Sequence, residues 1–233
     1  SRFVTGPLPG VTRDAIDATF EDSKGQCWQL TDTAGVAGRT TAHVADKIVA
    51  LSRSAAIRAM ERGEVVLLLV DACKGLTRND LKLAALTVQH GKPLVLVLNK
   101  VDLLGDNWRE VAGEIGRALE RTTSSLANVP IVAVSAKNAL NVQSILPAAK
   151  GVYTVWNERI PTGLLNKFLD AVRAEHPSEL KYITQVKTRP PTFTVFAHRP
   201  QKIKDSALKY LQRRLREEFS FWGCPIRLSV KSG

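Results

Sequence analysis

A chain of 233 residues, 44% hydrophobic and 24% charged, has the composition of an ordinary globular protein and the length for two domains of unequal size. No apolar run approaches the roughly 18–20 residues that span a bilayer, so no membrane partner is expected. Cys27, Cys73 and Cys224 lie far apart and read as thiols of a reducing, intracellular compartment rather than as a zinc site. The net charge of +11 is uneven: residues 1–150 hold 18 Lys and Arg against 15 Asp and Glu, and residues 151–233 hold 15 against 7. Such an excess in the second part suits either a polyanionic partner, nucleic acid before membrane, or a basic solvated face.

Residues 15–22 and 26–30 are expected as strands joined by the turn Ser23-Lys24-Gly25, and residues 46–61 have helical composition. The runs VVLLLV (65–70), LVLVL (94–98) and IVAV (131–134) have the unbroken apolar character of parallel strands buried on both faces. Helices are expected near 78–90, over 108–122, and over 141–156 with a bend at Pro147. This alternation makes residues 1–157 an α/β domain with a doubly wound parallel sheet. After residue 157 the grammar changes. A helix over 162–174, the strands KYITQV and TFTVFAH, a basic helix over 205–219 and the strand IRLSV (226–230) form a small α+β unit, residues 158–233, with a three-stranded sheet.

The run at 94–98 ends abruptly in Asn99-Lys100-Val101-Asp102. At the carboxyl end of a parallel strand such groups face the crevice where α/β sheets bind ligands. A carboxylate at Asp102 can accept two parallel hydrogen bonds, and guanine offers that pair at N1 and its 2-amino group. Adenine offers neither, so it would leave the carboxylate unpaired. Asn99 can brace the loop and meet the base at N7, and the Lys100 stem can lie over the ring. Ser135-Ala136-Lys137 follows the next strand, where the Ala136 N–H can donate to guanine O6. Upstream, Asp32 of Thr31-Asp32-Thr33-Ala34-Gly35 can hold the water shell of Mg²⁺, and the Gly35 N–H can approach a terminal phosphate. Thr12, in Pro9-Gly10-Val11-Thr12-Arg13-Asp14, can ligate Mg²⁺ when a γ-phosphate is present.

With these four loops in this order, the sequence resembles a translation-factor-type GTPase. More closely, it is similar to the second G domain plus C-terminal KH-like domain of the Der/EngA family of ribosome-assembly GTPases. The resemblance rests on PGVTRDAID (9–17), DTAGV (32–36), NKVD (99–102), LNKFLDAV, LKYITQ, RPPTFTVF and YLQRRLREEFSFWGCPIRLSV (210–230). It implies a P-loop-NTPase-like fold followed by a KH-like domain, GTP or GDP with Mg²⁺, and GTP hydrolysis in which Thr12 and Gly35 take part. It also implies a role on the precursor of the large ribosomal subunit, with rRNA, ribosomal proteins and other assembly factors as partners and no DNA. Two departures matter. The phosphate loop G-x-x-x-x-G-K-[ST] is not among these residues and is expected upstream of Ser1. Val36 stands where Ras carries the glutamine that orients the attacking water, which leaves a potassium ion or a partner as helpers. An inactive rRNA-binding assembly scaffold with a degenerate G domain is therefore the second reading.

The tail has no G-x-x-G to clamp RNA. Lys202, Lys204, Arg213, Arg214 and Arg216 are the expected phosphate contacts, with packing of the tail on the G domain as the competing account. Phe221 and Trp222 read as core anchors. A bacterial-type cytoplasm and a mitochondrial or plastid matrix fit equally.

Overall fold

The computed structural model describes residues 16–22, 25–32, 57–175 and 179–233. The chain divides into two compact units, Ser1–Glu64 and Val65–Gly233. In the first, β1 (Ile16–Glu21) and β2 (Cys27–Asp32) pair antiparallel, with Phe20 opposite Trp28. The turn between them is held by the Asp22 carboxylate, which accepts from the Gln26 amide and the Trp28 indole, both at 3.0 Å. Of the expected 46–61 helix, residues 57–62 are helical and the earlier part lies outside the described residues.

The second unit opens with a parallel sheet in the order β3 (Val66–Asp71), β4 (Leu94–Asn99), β5 (Ile131–Val134). Strand β4 is central, and Leu94 to Leu98 are all buried, which is why its apolar run has no alternation. Strand β3 departs from the expected uniform burial: Leu68 and Val70 are buried, but Leu69 is 62% exposed. Leu68 and Val70 share one face of the strand, and Leu69 lies on the other. Helix α1 (Arg78–Gln89) starts at a capping box, Thr77 with Asp80, which satisfies two otherwise orphaned donors. Helix α2 (Trp108–Thr122) buries Ile115 and Leu119 against β4 and β5. Helix α3 (Ile145–Asn157) does not run from 141 with a bend. Pro147 sits in its first turn, where a missing N–H removes no intrahelical bond.

The remainder is helix α4 (Thr162–Glu175), strands β6 (Leu180–Lys187) and β7 (Thr192–Ala197), helix α5 (Asp205–Glu218) and strand β8 (Arg227–Ser232). Strand β7 is central, antiparallel to β6 and parallel to β8. One apolar core is continuous from Val95, Val97 and Val134 through Trp156 to Phe193 and Phe221, so the α+β tail and one face of the parallel sheet are buried together. Their join lies at the amino ends of the parallel strands. The Leu94 amide donates to the Gly223 carbonyl at 2.8 Å, the Trp156 indole to the Gly91 carbonyl at 2.9 Å, and the Cys224 thiol to the Val152 carbonyl at 3.2 Å.

Candidate functional site: a base-sized cavity at the carboxyl ends of the strands

The opposite end of the same sheet is polar. Register places Asp71 beside Asn99 and Asn99 beside Val134, so the loops after β3, β4 and β5 leave from one edge. Asn99 ties two of them together: its Oδ1 accepts from the Lys100 amide at 2.8 Å and from the Ala136 amide at 3.0 Å. Lys100 adopts a left-handed conformation, φ 69° and ψ 32°, which turns the chain directly into the 3₁₀ turn Val101–Leu103. That turn sends Val101 into the core and leaves Asp102 half-buried.

The loop after β5 is equally fixed. Ser135 and Leu140 exchange backbone hydrogen bonds at 3.1 and 3.0 Å. The buried Ser135 hydroxyl accepts from the Asn138 amide, and the Asn141 side chain donates to the Ala133 carbonyl at 2.9 Å. Between the two loops lies a cavity of about 220 Å³ lined by Asn99, Lys100, Asp102, Leu103, Ser135 and Lys137. It is smaller than the roughly 300–1,000 Å³ of sites that enclose a drug-sized ligand, a scale that suits a heterocyclic base rather than a whole nucleotide.

The structure therefore brings Asn99, Lys100, Asp102, Ser135, Ala136 and Lys137 together. The Ala136 N–H donates to the Asn99 side-chain oxygen at 3.0 Å, across the seam between the two loops. Thr12 and Gly35 lie outside the described residues, as does the side chain of Asp32, whose backbone ends β2.

The reading from sequence passed over Asp71. Its Oδ2 meets the Lys100 ammonium at 2.7 Å, and its Oδ1 accepts from the Cys73 amide at 3.0 Å. The hydrogen bond from Lys100 holds the Asp71 carboxyl below the usual carboxylate range, and the same contact raises the Lys100 ammonium. The signal was present: Asp71 follows VVLLLV just as Asn99 follows LVLVL.

In the tail, Lys202 and Lys204 are exposed beside the start of α5. Arg213 and Arg214 both reach Glu217, at 3.7 and 3.9 Å, and both lie over the Tyr210 ring. Arg216 is a correction. It is 2% exposed and donates to the Ser124 carbonyl at 2.9 Å, and its Nε and Nη2 have no hydrogen-bond partner among the described residues. Burial lowers the affinity of its guanidinium for the proton. The chain folds back after α5, the Phe221 amide donating to the Arg216 carbonyl at 3.0 Å. Arg216 is thus a core residue and reaches no phosphate. Phe221 is fully buried, as expected.

These features match known proteins along the whole chain. Residues 53–176 match the elongation factor Tu GTP binding domain, so the class is a G domain of the translation-factor type. Residues 1–100 match the 50S ribosome-binding GTPase profile, and residues 159–231 the KH-domain-like C-terminal region of EngA bacterial GTPase enzymes. GTPase Der of Parvibaculum lavamentivorans is 39% identical over 238 residues, covering 99% of this chain and 50% of its own length. GTPase Der of Rickettsia bellii is 36% identical over 238 residues, covering 98% and 52%. The chain belongs to the Der/EngA family of GTPases and spans about half the length of the curated relatives it matches. Among solved structures, Era of Aquifex aeolicus bound to GDP·AlF₄⁻ superposes with a TM-score of 0.51 at 18% identity, covering 98% of this chain and 85% of that one. Era in complex with MgGDPNP and a piece of 16S ribosomal RNA gives 0.51 at 17%, covering 99% and 84%. Both share the fold, a P-loop GTPase-like sheet followed by a KH-like domain.

Proposed function

We propose that this chain is the guanine-reading and RNA-contacting part of a GTP-hydrolysing switch that acts on the precursor of the large ribosomal subunit. The observation that carries the reading is the convergence of Asn99, Lys100, Asp102, Ser135 and Lys137 on one base-sized cavity at the carboxyl edge of the sheet. In this reading Asp102 accepts from guanine N1–H and the 2-amino group, and the Lys100 stem covers the ring. The Asn99 amide meets N7, and the Ala136 N–H is shared between Asn99 Oδ1 and O6. Thr12 and Asp32 hold Mg²⁺, which neutralises phosphate charge, and the Gly35 N–H meets the terminal phosphate. Their ordering with γ-phosphate couples nucleotide state to docking. Lys202, Lys204, Arg213 and Arg214 contact rRNA phosphates.

Competition between GTP and ATP for the full-length protein tests the site. GTP is preferred by at least a hundredfold, and Asp102→Asn removes the preference; equal affinity for both nucleotides refutes the reading. For the tail, charge reversal of Lys202, Lys204, Arg213 and Arg214 weakens association with ribosomal precursors and flattens its salt dependence; unchanged association removes the RNA assignment.

A further inference from the structure

We infer that Asp71 is a positioning residue of the base site: by gripping the Lys100 ammonium it holds the lysine stem in place as a wall of the cavity, and so slows nucleotide release. The inference rests on the guanine reading above and adds to it a residue outside the N-K-x-D loop. Asp71 suits an anchor because it is itself fixed. Its carbonyl accepts from the Lys74 and Gly75 amides at 3.1 and 3.0 Å, and the next amide, of Ala72, donates to the Asn99 carbonyl at 2.8 Å. The register of β3 on β4 then sets the distance from its carboxylate to Lys100.

The division of its oxygens is equally definite, one to the Cys73 amide and the other to Lys100. A lysine stem has many rotamers, and one that must order only when the base arrives would charge that ordering against binding; a stem already held avoids the cost. Fold stability does not account for the pair. The Lys100 side chain is 52% exposed, and exposed ion pairs add little to folding. What the pair does fix is the direction in which the Lys100 side chain, which lines the cavity, leaves its left-handed backbone: toward Asp71.

The test measures release of a fluorescent GDP analogue from the full-length protein. Asp71→Asn retains an acceptor for Cys73 but removes the charge that holds Lys100. It speeds release by roughly tenfold, leaves the melting temperature unchanged, and has no added effect in a Lys100→Met background. Asp71→Glu, which restores the carboxylate, recovers part of the retention. Because the pair is exposed to salt, wild-type release quickens from low to high ionic strength, and Asp71→Asn release does not. If the wild type prefers guanine nucleotides and Asp102→Asn abolishes that preference, yet Asp71→Asn releases GDP at the wild-type rate, the positioning role is refuted while the guanine reading stands. If the wild type shows no preference for guanine, both are refuted.

Discussion

The two ends of the β3–β4–β5 sheet are built on opposite plans. At the amino ends, backbone and side chain are sealed. Gly223, with φ +67°, lies so close to the first residue of β4 that a Cβ there would sit 2.6 Å from the Leu94 carbonyl oxygen and 2.8 Å from Pro130. Arg216 and Cys224 are shut in beside it. At the carboxyl ends, Lys100, Ala136 and Lys137 are exposed, and the polar groups are braced against one another rather than buried. One end spends its contacts on joining the tail to the sheet. The other holds its loops rigid and leaves a cavity between them, which is the arrangement a binding site needs.

Substitutions separate the two plans, the largest effects falling at the sealed end. Gly223→Ala combines a left-handed backbone with overpacking against β4 and costs roughly 2–5 kcal/mol in chemical denaturation. Arg216→Glu places an acid in a buried site against the Ser124 carbonyl, which cannot donate to it, and costs roughly 3 kcal/mol, whereas Arg213→Glu, on the exposed side of the same helix, changes stability by no more than about 0.5 kcal/mol. Equal losses from the two arginine substitutions would break the contrast.

A smaller effect follows from the thiols. Burial pushes Cys224 up to about 12 from an ordinary 9.0, so the folded protein keeps a proton that the unfolded chain gives up. The stability this supplies is complete below pH 9.0 and fades as pH rises towards 12. An alkylating reagent at pH 8 accordingly modifies Cys27 and Cys73, both exposed, and spares Cys224 until the protein unfolds; prompt modification of all three would show that the join is open.

How much of this could be read from residue order depends on the range of the contacts involved. The 108–122 helix and the strands at 94 and 131 were legible because an apolar stripe or an unbroken apolar run is a local pattern. The N-K-x-D loop was legible because polar groups that interrupt such a run need a reason. Arg216 was not: it sits among the charged residues Arg213, Arg214, Glu217 and Glu218, and the carbonyl that receives it belongs to Ser124, 92 positions away. Leu69 shows the converse: it belongs to an apolar run, yet among the described residues it is exposed while Leu68 and Val70 beside it are buried.

The most direct measurement of the central claim exchanges the base. An asparagine at position 102 presents one acceptor and one donor, which complement xanthine, with N1–H and a 2-carbonyl, instead of guanine. Binding of GDP and of xanthosine diphosphate to the full-length wild type and Asp102→Asn should show the preference inverted, guanine for the wild type and xanthine for the variant. A variant that loses neither guanine affinity nor selectivity would contradict the account.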